Sequence, residues 1–216
     1  MSKVRLISDV HGKHSQYLDI VKDANEKGLY TVQLGDLGFY DTYLEILKKI
    51  DTNQNKFFMG NHDGYNSIDK LGDFCLGDYG IREVNGIKFF FIRGAFSIDK
   101  KYRTMGRDWF PEEELSLDEH QDVIDLYTSE KPDIVLSHDC PDSVGNDGIL
   151  KNIEVIASFG FSPLTFNTKT QTLLQKLFEI HSPKEWYFGH YHSNWTDTIN
   201  GTKFQCLAEL NYIDIG

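Results

Sequence analysis

Five short polar clusters in this chain combine carboxylate, amide and imidazole side chains, and each directly follows an apolar run. In chain order they read Asp9-Val10-His11, Gly35-Asp36, Gly60-Asn61-His62-Asp63, Ser137-His138-Asp139 and Gly189-His190-Tyr191-His192. Five of the eight histidines lie in these clusters, and none of the five sits in a stretch with helical periodicity. Oxygen and nitrogen ligands brought to the ends of several strands are what a two-metal site requires. Asp9 and His11 are two apart, so in extended chain both leave the same face. Asp36 has two carboxylate oxygens and can bridge cations about 3.5–4 Å apart. Asn61 offers a neutral amide oxygen, and His138 with the His190/His192 pair completes a mixed set. Such a set suits two divalent ions, manganese foremost with iron, zinc or nickel as alternatives, better than calcium.

Taken singly, most of these clusters have an ordinary structural use. Asp-Val-His-Gly is also a strand-to-turn exit, Gly-Asn-His-Asp-Gly is turn-forming composition, and His138 alone reads as a polar residue beside a strand. Gly-His-Tyr-His is stronger, because two imidazoles so close are seldom needed for packing. The joint occurrence after apolar strands carries the inference of metal-dependent hydrolysis of a phosphate ester.

The positioning elements are legible from periodicity. Strands are expected at Val4–Ser8, Tyr30–Leu34, Lys56–Met59, Ile87–Ile92, Ile134–Ser137, Glu185–Phe188 and Lys203–Leu207. Helical spacing runs through His14–Lys27 and Thr42–Ile50, between the first three strands. That alternation predicts parallel pairing with right-handed crossovers. Asn85-Gly86 and Asn200-Gly201 each divide two strand-like runs and predict hairpins, so the sheets are mixed and covered by helices. Ser116-Leu117-Asp118-Glu119 reads as a capping box opening a helix to about Thr128. A last helix is expected over Thr170–Ile180, with Pro183 beyond its end. The stretch 139–162 reads as loop with a short helix.

A chain of 216 residues, 40% hydrophobic and 25% charged, suits one domain spanning residues 1–216 with a substantial core. No run of about 18 apolar residues exists, so no membrane span is expected. The opening Met1-Ser2-Lys3 leads straight into a strand rather than a signal sequence. Cys75, Cys140 and Cys206 are odd in number and far apart, which fits reduced thiols in a cytoplasmic protein. A formal charge of −11 argues against an extended nucleic-acid surface. It leaves a phosphate-ester substrate open, because bound cations reverse the local field.

The ordered clusters resemble the calcineurin-like metallophosphoesterase superfamily, in the manner of its small bacterial and phage members. Its run of Asp-x-His, Gly-Asp, Gly-Asn-His-Glu/Asp, a later His and Gly-His-x-His is matched at residues 9–11, 35–36, 60–63, 138 and 189–192. The resemblance implies an α/β fold, a four-layer α/β/β/α sandwich of two mixed β-sheets flanked by helices, with metals at strand ends. It implies Asp9, His11, Asp36 and His192 on one metal, and Asp36, Asn61, His138 and His190 on the other. It implies His62 as the catalytic histidine, a general acid opposite an attacking metal-bridging hydroxide, with Asp63 orienting it. A phosphate mono- or diester is the implied substrate class, whether nucleotide, small molecule or phosphoprotein.

Two departures matter, the milder being Asp63 where Glu is commoner. The Gly-Asp-x-Val-Asp-Arg-Gly segment of the superfamily's protein phosphatases is here Gly35-Asp36-Leu37-Gly38-Phe39-Tyr40-Asp41, without the phosphate-clamping Arg. The segment from Gly94 to Glu113, with Arg103 and Arg107, resembles a loop of the small members, and either arginine is a candidate replacement clamp. Pairing of these arginines with their own acidic neighbours, such as Asp99 or 112–114, is the competing reading. Trp109 and Phe110 are candidates for stacking on a leaving group, with core packing as the plainer use. A catalytically silent metal-binding scaffold of the same fold is the rival function. A cysteine phosphatase around Cys140 is opposed by the lack of a following Arg through Gly148, and a serine hydrolase by the lack of Gly-x-Ser-x-Gly.

Overall fold

The apolar runs form short strands because β-branched and aromatic residues fit a pleated surface that is buried on both sides. The computed structural model describes residues 3–39, 43–148 and 153–216. Its strands are β1 (Val4–Ile7), β2 (Tyr30–Gln33), β3 (Asn55–Phe57), β4 (Tyr79–Val84), β5 (Ile87–Ile92), β6 (Ile134–Ser137), β7 (Glu185–Phe188), β8 (Trp195–Ile199), β9 (Thr202–Cys206) and β10 (Tyr212–Ile215). The helices are α1 (His14–Glu26), α2 (Tyr43–Leu47), α3 (Leu117–Glu130), α4 (Asp142–Gly148), α5 (Ile153–Ser158) and α6 (Lys169–Ile180).

Two mixed sheets result. One runs β10-β1-β2-β3, with β1, β2 and β3 parallel and β10 antiparallel to β1. The other runs β4-β5-β6-β7-β9-β8, parallel from β5 to β9 with an antiparallel hairpin strand at each edge. Side-chain alternation makes the layers. Val4, Leu6 and Val32 meet Phe89, Phe91, Leu136 and Tyr187 between the sheets. Ile7 and Phe57 face outward onto Tyr17 and Val21 of α1 and Tyr43 and Ile46 of α2. Phe90, Ile92, Trp186 and Phe204 face α3 and α6 through Val123, Tyr127, Leu174 and Leu177. This is the expected α/β/β/α sandwich.

The expected strands and helices occur, β5, β6 and β7 with the expected ends and the others with an end shifted by one to three residues. Both Asn-Gly hairpins form, with positive φ at Asn85, Gly86, Asn200 and Gly201, the backbone that this turn demands. The Ser116/Glu119 capping box is present. The stretch 139–162 differs from expectation, since its described residues carry two helices, α4 and α5. Thr42, the expected start of α2, lies outside the described residues. Strand β10 has no counterpart among the expected elements. It is held where Arg5, almost wholly buried, reaches Asp214 at 2.7 Å and Asp23 of α1 at 2.6 Å.

Candidate metal centre

All five polar clusters converge at one end of the sandwich. Asp9 and His11 follow β1, Asp36 follows β2, and Asn61, His62 and Asp63 follow β3. His138 follows β6, and His190 and His192 follow β7. Residues just beyond the carboxyl ends of parallel strands are the usual place for ligand groups in such sheets. The donor atoms fall into three overlapping groups, each within 4.8 Å: Asp9/His11/His192, His11/Asp36/His62 and Asp36/His138/His190. Asn61 joins the third, with its Oδ1 3.2 Å from His138 Nε2.

Backbone strain brings them together. His11, Asp36, His190 and His192 all have positive φ, between 47° and 66°, a region that residues with a side chain rarely adopt. The expectation that Asp9 and His11 share a face in extended chain is therefore corrected. The chain turns at His11, and that turn, not strand alternation, aims its ring. Three glycines let the groups approach. A Cβ on Gly60 would stand 2.2 Å from Asp36 Oδ1, one on Gly35 2.4 Å from His138 Nδ1, and one on Gly189 2.6 Å from Ser8 Oγ.

The donor set fits divalent cations. His138 Nδ1 donates to the Leu34 carbonyl at 2.7 Å, which aims Nε2 at two oxygens, Asp36 Oδ1 and Asn61 Oδ1, both at 3.2 Å. Without a cation only a proton can reconcile those atoms. Burial opposes a charge on His138, but Asp36 and Asp9 outweigh it and raise its pKa to about 10. His11 Nε2 and His192 Nε2 face each other at 2.7 Å, another arrangement that a shared cation would resolve. Burial also lowers His11 and, more strongly, His190, keeping these imidazoles neutral and able to ligate. Burial pushes Asp9 up to about 7. For Asp36 burial opposes ionisation, yet the histidines around it, His138 foremost, hold it well below the usual range.

His62 lies beside Asp36, its backbone N–H donating to Asp36 Oδ1 at 2.7 Å. Arg103 contacts the ring at Nε2. Burial, reinforced by this cation and His11, lowers the His62 pKa to about 4. The expected contact between Asp63 and His62 is replaced by another arrangement. Asp63 accepts from the backbone N–H groups of Asp36 (2.9 Å), Gly38 (2.9 Å) and Gly60 (2.7 Å) and from Tyr43 OH (2.7 Å). Its oxygens tie the loops after β2 and β3 together, and burial raises its pKa to about 6.

The two candidate arginines separate. The Arg103 side chain is largely covered, touches His62, and pairs with Asp99 at 2.7 Å. Arg107 is exposed and pairs with Asp108 at 3.1 Å, with no contact to the candidate donor groups among the described residues; its candidacy as a clamp is withdrawn. Phe110 packs against Tyr65 in the core, and Trp109 donates its indole N–H to Glu113 at 3.1 Å. Cys140 is buried and its thiol is pushed well above its ordinary pKa by burial, so it is no nucleophile. Ser97, Glu113 and Tyr43 contact the site without any motif to announce them. Against the centre opens a cleft of about 320 Å³ with Phe96, Ile98, Ile156, Phe159 and Phe166 in its wall.

A family model described as calcineurin-like phosphoesterase matches residues 2–194. The chain belongs to that family. Among solved structures, TT1561 of Thermus thermophilus is similar at 12% identity, covering 97% of this chain and 91% of that one, with a TM-score of 0.58. GAP50, described as the anchor in the inner membrane complex of Plasmodium, is similar at 14% identity over 96% of this chain and 72% of that one, with a TM-score of 0.51. No curated protein matches the sequence. These likenesses show the fold, and the family match supports a metal-dependent phosphoesterase in general terms. No helix among the described residues is long and apolar enough to cross a membrane.

Proposed function

We propose that this protein hydrolyses small-molecule phosphate esters at a dinuclear metal centre. Asp9, His11, Asp36 and His192 would hold one cation, and Asp36, Asn61, His138 and His190 the other. The observation that carries the reading is Asp36, which shares one donor group with His11 and His62 and another with His138 and His190, and whose carboxylate accepts from the His62 backbone N–H. Bound divalent ions would lower the pKa of a water and offset phosphate charge.

The protein's own groups then have distinct tasks. Arg103 presents a guanidinium fork suited to two phosphate oxygens. In the free protein it rests on His62, whose ring is neutral. Arriving phosphate offers Arg103 a stronger partner, releases His62 Nε2, and raises its proton affinity through added negative charge. His62 can then hold a proton toward the leaving oxygen, a contribution of about 10²–10⁴-fold. The aromatic wall of the cleft excludes water and suits a compact apolar or aromatic leaving group. That favours a small molecule over a phosphoserine on a protein surface.

The rival is the catalytically silent metal-binding scaffold of the same fold, and the similar GAP50 is described as an anchor. The filled set of donor positions beside His62 and Arg103 supports the enzyme instead. Hydrolysis of p-nitrophenyl phosphate and of its bis-p-nitrophenyl diester by metal-stripped protein given manganese tests this. Metal-dependent turnover that falls roughly 10²-fold or more in His62→Ala is expected. Absence of turnover on either ester, with manganese bound, would favour the scaffold.

A further inference from the structure

Ser97 Oγ has one proton and two lone pairs, and the structure gives it three side-chain partners. Glu113 Oε2 lies at 2.8 Å, Asn61 Nδ2 at 3.0 Å and Arg103 Nη1 at 3.3 Å. Arginine can only donate, and an ionised carboxylate can only accept. The Ser97 proton therefore goes to Glu113, and both lone pairs are filled by Arg103 and by Asn61. Asn61 has to turn its NH2 toward Ser97, which leaves its carbonyl oxygen facing His138 and the centre. The other oxygen of Glu113, Oε1, accepts from Ser97 N–H at 2.8 Å and from the Trp109 indole at 3.1 Å. Glu113 is buried, and Gly94 clamps the segment from behind: a Cβ there would stand 2.0 Å from the Glu113 carbonyl oxygen.

We propose that Glu113, acting through Ser97, is a positioning residue that fixes the Asn61 amide with its oxygen toward the second cation and steadies Arg103 beside His62. The inference rests on the reading of Asn61 as a metal ligand. It assigns a task to the segment between Gly94 and Glu113 that the ligand motifs leave unexplained.

Isosteric Glu113→Gln exposes the logic. Two N–H groups demand an acceptor at the Oε1 position, so the glutamine oxygen goes there and its NH2 faces Ser97 Oγ. Ser97 then accepts from the glutamine and from Arg103, and its proton turns to Asn61. The Asn61 amide must rotate and present NH2 to the cation. A polarity change two residues removed from the metal thus reverses a ligand.

Manganese titration of the stripped protein by calorimetry at pH 8, above the range to which burial raises Glu113, reads this out. In Glu113→Gln one of two binding events is expected to weaken by roughly 10–100-fold while the other is retained. Asn61→Asp supplies oxygen at both ends, so it should strengthen that event more in the Glu113→Gln background than in the wild type. In the wild type Ser97 would have a single proton for two carboxylates. Two unaltered binding events in Glu113→Gln overturn the proposal alone. So does an equal gain from Asn61→Asp in both backgrounds, which a merely structural role would give. Fewer than two events in the wild type instead overturn the metal reading on which the proposal stands.

Discussion

Four of the ligand candidates stand where burial opposes their charged forms. Asp9, Asp36 and His138 are buried, with the partly buried His190 beside them, where an isolated charge is unfavourable and a compensated one is held firmly. Asp36 and Asp9 favour a proton on His138, and a bound cation could take over its place. Arg103 belongs to the same balance, because it depresses His62 in the free protein and is the cation nearest the ring where phosphate chemistry would occur. Arg103→Ala is expected to raise KM for p-nitrophenyl phosphate by roughly 10–100-fold, the loss of a charge-assisted contact of about 1.5–3 kcal/mol. Arg107→Ala, at an exposed site, should leave the kinetics unchanged. Steady-state kinetics of the two variants side by side check this, and equal effects would contradict the assignment.

At the scale of elements, the loops after β2 and β3 depend on one side chain. Asp63 joins three backbone N–H groups and Tyr43 OH, so Asp63→Asn would set an NH2 against at least one donor. A buried unsatisfied pair of this kind costs about 1–3 kcal/mol, which for a chain of this size lowers the melting temperature by roughly 2–12 °C. Thermal unfolding of the metal-free variant measures it, and an unchanged melting temperature would refute the tie. The strands, the hairpins and the capped helix were legible because apolar period and turn chemistry are local properties. Asp63 shows where locality ends. The motif placed it next to His62 in sequence, yet its partners in the loop after β2 and in α2 lie 20 to 27 residues away. β10 was illegible for the same reason: Tyr212–Ile215 alternates too briefly to stand out, and its pairing depends on Arg5, at the other end of the chain. Ser97 and Glu113 carry no spacing signal at all, since their pairing arises from the fold of the loop after β5.

At the scale of the molecule, the two sheets share the work. The loops after β1, β2 and β3 of one sheet supply Asp9, His11, Asp36, Asn61 and His62, while the central strands β6 and β7 of the other supply His138, His190 and His192. The candidate centre therefore sits on the seam between the sheets. Family membership accounts for the order of the clusters along the chain, and the seam explains why that order works. The most direct measurement is anomalous diffraction from crystals of the stripped protein soaked in manganese. Two peaks about 3.5–4 Å apart, bridged by Asp36, with one beside Asp9, His11 and His192 and the other beside Asn61, His138 and His190, are the expected result. A single peak, or peaks away from Asp36, would contradict the account.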